Sequence, residues 1–285
     1  RFRYGLPEKI GGWTQLTDAQ ETIPGVARAQ HAFSSFGGEK YVAIGTSQGL
    51  FLYYEGAFFD ITPLDTAITG ATFDTNNNST SVTVNKTTHN LAVGRYITFT
   101  SVTPPPGSGY VASDFTAGAF EIVQVNDANS FNIVMRTNAS ADTTAVGSAT
   151  INPYVEVGPT FQTTGYGWGT YLWGDSTWGT ARTVSNVILD PGNWSLDNFG
   201  EVLVATIFNG KTFTWDAGAS GPRAIRASTT TTNFNTTNNP TATRMTLVSD
   251  RDRHLFHFGT ETTIGDTTTQ DPMFVRFSNQ EDLNT

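Results

Sequence analysis

Four histidines are the only imidazole groups available for acid–base chemistry or metal binding in this chain: His31, His89, His254 and His257. His254 and His257 are three residues apart on a predicted strand, and an odd spacing directs two strand side chains to opposite faces. Two ordinary strand histidines are therefore favoured over a shared metal ion. The sequence contains no HExxH, GxxxxGK[ST] or GxGxxG motif. We assign no catalytic residue, no cofactor and no metal ligand.

The acidic residues offer two further kinds of chemistry. The run Asp250-Arg251-Asp252-Arg253 could bind a cation or supply an acid pair, but a solvated turn with local ion pairs is the favoured interpretation. Asp60, Asp65 and Asp74 lack the spacing of a calcium loop. A propeller-type glycosidase would need two carboxyl groups about 5–9 Å apart. No pair stands out in the sequence, so we predict that the chain is not an enzyme and keep the glycosidase as a rival.

Tryptophan–glycine pairs recur every five residues between positions 168 and 179. Trp168, Trp173 and Trp178 could form an aromatic platform that contacts a glycan or a partner chain. The favoured alternative is an extended segment whose tryptophans pack on the protein, with glycine permitting a close backbone approach. These three tryptophans are the only candidate contact residues that the sequence provides.

The elements that would position such residues follow a repeated strand pattern. Each copy has a short apolar strand, a glycine-marked turn and a second strand rich in aromatic residues, which is typical of a β-propeller blade. The first copy comprises residues 39–46, 49–54 and 57–61. The second comprises residues 200–206, 210–215 and 223–225, and the third comprises residues 252–259 and 272–278. The pattern predicts an all-β fold with propeller-like blades, each of which must pack on a neighbour.

Three regions follow from this pattern. Residues 1–66 contain an N-terminal connector and the first propeller-like unit, and residues 158–285 contain the further units, which we expect to be incomplete at the C-terminus. Residues 67–157 carry five short predicted strands between low-complexity borders, which predicts an inserted small β-barrel or β-sandwich.

The composition limits the possible partners. The 285 residues include 16 basic and 25 acidic side chains, a net charge of −9, and no cysteine. Without cysteine there is no disulfide, thiolate metal site or thiol nucleophile. The basic residues are dispersed, so the chain has no cluster that could neutralise adjacent phosphates. No apolar stretch approaches the 18 residues of a membrane span.

Four segments carry a resemblance to a known family: the opening "RFRYGLPEKIGGW" (residues 1–13), "YVAIGT" (residues 41–46), "FFDITP" (residues 58–63) and "VRFSNQED" (residues 275–282). They resemble tail proteins of short-tailed bacteriophages (podoviruses), including the propeller-built tail nozzle and phage stabilisation proteins. The similarity covers both ends of the chain, whereas the insert resembles the family only in its general character. Members of this family are usually longer, so the resemblance implies a piece of a longer product.

The resemblance implies a virion protein of the phage tail. It would form a homo-oligomeric ring by head-to-tail contacts, meet the tail adaptor and the fibre or spike proteins, and extend the DNA channel. Genomic DNA would pass through without tight binding, and loops would help to retain and release it. The alternative is a carbohydrate-binding receptor module of the tail that uses the tryptophan–glycine segment.

Overall fold

The computed structural model describes residues 2–3, 6–7, 22–158, 191–216, 227 and 237–283, and within these ranges the chain is nearly all β-structure. The only helices there are α1 (Ala112–Thr116) and one 3-10 turn (Thr267–Thr269). The predicted all-β class with propeller-like blades is confirmed. Neither of these helices has the length and apolar character needed to cross a membrane.

The strands of this described part are numbered in chain order. They are β1 (Phe2–Arg3), β2 (Leu6–Pro7), β3 (Ala27–Ser34), β4 (Lys40–Thr46), β5 (Leu50–Tyr54), β6 (Ala57–Asp60), β7 (Ile68–Thr75), β8 (Ser81–Asn85), β9 (Tyr96–Thr103), β10 (Phe120–Glu121), β11 (Gln124–Asp127), β12 (Ser130–Val134), β13 (Thr143–Pro153), β14 (Trp194–Phe199), β15 (Val202–Ile207), β16 (Thr212–Asp216), β17 (Met245–Val248), β18 (Leu255–Phe258) and β19 (Val275–Phe277).

Three small antiparallel sheets form the blade-like part of the molecule. The first sheet has the order β3-β4-β5-β6, the second β14-β15-β16 and the third β17-β18-β19. In each sheet, strands that follow one another in the chain are also neighbours in space, so each sheet is a simple meander. This is the connectivity of a propeller blade.

Each meander begins one strand earlier than the sequence repeat. The repeat predicted β4, β5 and β6 in the first sheet, β15 and β16 in the second, and β18 and β19 in the third, but it did not include β3, β14 or β17 as blade strands. These three first strands lie next to one another, because β14 contacts β3 on one side and β17 on the other. We call β3, β14 and β17 the inner strands.

A seven-stranded antiparallel sheet occupies the region between the first and second sheets in the chain. Its order is β10-β9-β13-β7-β8-β12-β11, and β10 near one edge approaches β12 near the other, so the sheet curls into a half-barrel. Phe73, Phe99 and Phe115 meet in its core, the last contributed by α1. Of the two predicted low-complexity borders, residues 74–80 mainly connect β7 to β8, whereas most of residues 140–148 belong to β13. β7 and β13 are long strands at the centre of this sheet.

The chain enters and leaves the curled sheet at adjacent points. Asp65 N–H donates to the Pro153 carbonyl at 2.8 Å, and Val155 N–H donates to the Pro63 carbonyl at 3.1 Å. The Tyr154 hydroxyl also donates to Asp60, at the end of β6. Paired ends of this kind are what an inserted domain needs. The boundaries 1–66, 67–157 and 158–285 stay a prediction.

Candidate functional site

The predicted tryptophan platform of Trp168, Trp173 and Trp178 lies outside the described residues. Within the described part, the three small sheets carry the exposed surfaces of interest.

The acids considered as cation ligands do not converge. Asp60, Asp65 and Asp74 each bind a different partner inside the protein, namely Tyr154, Arg95 (2.8 Å) and Asn85 (2.7 Å). Among the described residues, no three His, Asp or Glu side chains are grouped as a metal site would require. The acids that were candidates for chemistry are engaged in structural contacts.

The charged run at positions 250–253 forms the predicted turn. Asp250, Arg251 and Asp252 are exposed, and Arg253 pairs with Glu281 at 3.3 Å. The observed ion pair therefore links the turn to the segment after β19, whereas we expected a pair inside the run. An exposed pair of this kind contributes little to stability.

Two short patterns with catalytic associations lie in β-hairpins. We expected the sequence to lack the G-x-S-x-G pattern, and this is wrong, because residues 45–49 match it. Gly210-Lys211-Thr212 resembles the end of a phosphate-binding loop. Both motifs require a strand followed by a helix, but each joins two antiparallel strands here. The Ser47 hydroxyl instead accepts the Val26 N–H at 3.1 Å. Neither pattern has the geometry of a catalytic site.

The inner strand β14 holds the second sheet between its two neighbours. Trp194, Leu196 and Asn198 face the first sheet, whereas the alternate residues face the third sheet. This follows from the two-residue period of a strand. Each face makes a polar contact to the adjacent inner strand, since Asn198 Oδ1 lies 2.7 Å from His31 Nε2 on β3 and Asp197 Oδ2 accepts the Val248 N–H of β17 at 2.7 Å.

The contact between the first and second sheets is formed mainly by buried aromatic side chains. Trp215 is 1% exposed and makes edge-to-face contacts with Tyr41 and Phe33, with ring centroids 5.4 and 6.1 Å apart. The Tyr41 hydroxyl donates to Glu39 at 2.5 Å. Burial, followed by the Glu39 carboxylate, raises the pKa of Tyr41 above its usual range, so this phenol stays neutral. Aromatic pairs of this type add about 1 kcal/mol beyond their buried area.

The contact between the second and third sheets combines an apolar cluster, which includes Val204, Val248 and Leu255, with buried polar side chains. The Thr206 hydroxyl lies 2.8 Å from the hydroxyls of both Thr212 and Thr246, and all three are buried. Fully buried His257 lies 3.3 Å from the Thr243 hydroxyl through Nδ1, while its Nε2 has no hydrogen-bond partner. Burial, followed by the charge of Arg276, lowers the pKa of His257 to about 3. The imidazole is therefore neutral and structural.

The opposite side of the third sheet is an open face, formed by Met245, Leu247, Phe256, Phe258, Val275 and Phe277. The register places these side chains together, because Leu247 pairs with Phe256, and Phe256 with Phe277. The Phe256 ring lies 6.1 Å from Phe258 and 5.9 Å from Phe277 between centroids. Phe277 is nevertheless 62% exposed and Met245 51% exposed. The third sheet thus presents a mainly apolar surface to solvent, with the His254 ring beside it, 6.1 Å from Phe277 between centroids.

The comparisons with known proteins found distant structural likeness and no match in sequence. No family model matches the chain. No curated protein matches it either. Among solved structures, a chain described as phage phi92 endosialidase aligns over 88% of this chain and 37% of its own length, with 14% sequence identity and a TM-score of 0.25. A likeness at that TM-score carries no argument about function.

Proposed function

We propose that this chain is a structural component of a short-tailed phage tail, of the nozzle type, that assembles into a ring extending the DNA channel. The observation that carries the proposal is that the three blade-like sheets pack one on the next, and that the third sheet exposes an apolar face. A contiguous exposed apolar patch often marks a site of interaction. A subunit whose role is to pack against neighbours requires one. The resemblance of residues 1–13 and 275–282 to podovirus tail proteins indicates that the assembly is a phage tail.

The inner strands support passage of DNA without tight binding. In a propeller the first strand of each blade faces the channel. Together β3, β14 and β17 carry one arginine, Arg28, and one aspartate, Asp197, with no lysine. Their formal charges cancel, so these strands provide no row of cations for adjacent phosphates. The genome could slide past such a lining, and loops at the end of the ring would help to retain and release it.

The proposal assigns no catalytic step to this chain. Its partners would be further copies of itself, the tail adaptor, and the fibre or spike proteins. Asp60, Asp65 and Asp74, the acids that could have served as ligands or catalysts, serve as hydrogen-bond or ion-pair acceptors for residues of the same fold. This supports a protein that functions through the shape of its assembly and not through a catalytic group.

The test is to locate the protein in purified virions of the phage that encodes it. Mass spectrometry of virions, followed by labelling with an antibody raised against residues 22–158, should place the chain at the tail tip with rotational symmetry in averaged images. Absence of the chain from intact virions would overturn the proposal. A location on lateral fibres, together with glycan binding that is lost in Trp173→Ala, would favour the receptor-binding alternative instead.

DNA binding gives an independent check on the channel. Fluorescence anisotropy with duplex and single-stranded DNA at about 150 mM salt should show no affinity tighter than roughly 10⁻⁵ M, the weak non-specific range. Submicromolar binding that falls steeply with added salt would mean that the chain grips DNA, which contradicts the proposed passage.

A further inference from the structure

The curled sheet and the first sheet have separate hydrophobic cores. Phe73 and Phe131 belong to the core of the curled sheet, whereas Tyr41 and Trp215 belong to the core that the first sheet shares with the second, and the two clusters have no residue in common. In the part of the chain that the structure describes, no strand of the curled sheet packs extensively on a strand of the three small sheets. Two bodies joined without a large apolar interface are expected to move relative to one another. Their orientation therefore depends on the connection between them.

A network of polar contacts crosses this connection. Tyr154, directly after β13, is 2% exposed, and its hydroxyl donates to the carboxylate of Asp60 at the end of β6. The Tyr154 carbonyl accepts from Nε and Nη2 of Arg95 at 3.1 and 3.0 Å. Nη2 of Arg95 also donates to Asp65 Oδ2 at 2.8 Å, so an ion pair joins the curled sheet to the segment that follows the first sheet. We call Asp60, Asp65, Arg95 and Tyr154 the latch.

Arg95 is held in a position that suits this role. It lies directly before β9, and its carbonyl accepts the Ile122 N–H at 3.0 Å, which fixes it to the curled sheet. Its side chain is only 15% exposed, so water competes little for its donors. A planar guanidinium that bonds a carboxylate and a carbonyl at once fixes direction as well as distance. Beside the latch, a cavity of about 180 Å³ lies between the β4–β5 hairpin and the segment before β9.

We propose that the latch fixes the orientation of the curled sheet on the first sheet, and that the two connecting segments become a hinge when the latch is broken. Two backbone hydrogen bonds pair these segments, residues 63–65 and 153–155, and they would remain as a narrow ribbon that can bend. No latch residue belongs to either hydrophobic core, so both sheets should keep their fold when the latch opens. This inference concerns the chain alone and does not depend on the function proposed above.

The latch is tested by measuring distances between the two sheets. The chain has no cysteine, so spin labels can be attached to Lys40→Cys on the first sheet and Val134→Cys on the curled sheet, both at exposed strand positions. Pulsed electron paramagnetic resonance should give one narrow distance distribution for the labelled chain with an intact latch. Adding Arg95→Ala and Tyr154→Phe together should widen the distribution at least about two-fold, because two bodies joined by a hinge sample many orientations. The circular dichroism spectrum should not change.

The controls make the same kinds of substitution outside the latch. Arg136→Ala removes an exposed arginine of the described chain, and Tyr96→Phe removes a hydroxyl that lies 3.3 Å from Glu121 within the curled sheet. Both should keep the narrow distribution. If the double variant does not fold, Asp65→Asn removes only the charge of a half-exposed side chain and should also widen the distribution, to a smaller extent. A broad distribution with the latch intact, or a narrow one in every folded latch variant, would overturn the inference.

Discussion

The contact between Gly45 and Trp194 offers the sharpest test of how the first two sheets are held together. Gly45 lies on β4, where an added Cβ would sit 2.6 Å from Cγ and Cδ1 of the Trp194 ring. The ring is 3% exposed, and its Nε1–H donates to the Thr46 carbonyl at 2.9 Å. Because the indole cannot move without losing this hydrogen bond, Gly45→Ala should overpack the contact between the sheets.

The expected loss in the free energy of unfolding is about 1–3 kcal/mol, the usual cost of adding a methyl group to a packed core. For a chain of this size that corresponds to a fall in melting temperature of about 2–4 °C for each kcal/mol. Thermal and urea unfolding followed by tryptophan fluorescence would measure it. Gly37→Ala is the matched control. Gly37 lies in the β3–β4 hairpin and its added Cβ meets nothing closer than the Ser35 hydroxyl at 3.4 Å.

A double-mutant cycle separates the contact from any general effect of alanine. In a Trp194→Ala background the ring is gone, so Gly45→Ala should cost less than about 0.5 kcal/mol, and the two substitutions should be strongly non-additive. The reasoning fails if Gly45→Ala is as mild as Gly37→Ala in the wild-type chain. It also fails if Gly45→Ala costs the same with and without the Trp194 ring.

Three further expectations concern the other contacts. Burial lowers the pKa of His257 from 6.5 to about 3, so between these pH values the unfolded chain binds a proton that the folded chain does not. The free energy of unfolding should therefore fall by roughly 1 kcal/mol per pH unit as the pH drops from 6.5 to about 3. A His257→Asn variant should lack this contribution when stability is measured against pH. Asp197→Ala should lower the free energy of unfolding by about 1–3 kcal/mol, because it leaves the Val248 N–H without its acceptor. Asp197→Asn keeps an acceptor oxygen and should lose less than half as much in urea unfolding. Equal losses in the two variants would refute the assigned hydrogen bond. Replacing residues 67–157 by a short Gly/Ser bridge should leave a soluble β-protein by circular dichroism, because the entry and exit strands are paired; aggregation would contradict an independent inserted domain.

The sequence by itself determined the class of fold and many of the strands. Apolar and aromatic runs such as residues 41–46 and 202–207 lie in sheets covered by neighbours, so their hydrophobicity was visible without a structure. Glycine-marked turns located the hairpins between them. The absence of cysteine excluded disulfides and thiol chemistry without a structure, since it depends only on composition.

Only the tertiary structure decided the role of the inner strands and of the open face. The sequence repeat did not include β14, whose polar side chains Ser195, Asp197 and Asn198 bond the neighbouring inner strands, because a local pattern cannot reveal such contacts. Only residues 149–151 of β13 were predicted as a strand, and its threonine-rich beginning was missed because its partners β7 and β9 lie far away in the chain. Likewise, Phe256 and His257 are adjacent in sequence, and only the stacking of the sheets determines which of them is buried against a neighbour and which faces solvent. Strand pairing and sheet packing are long-range, so the surfaces they create are a property of the folded chain.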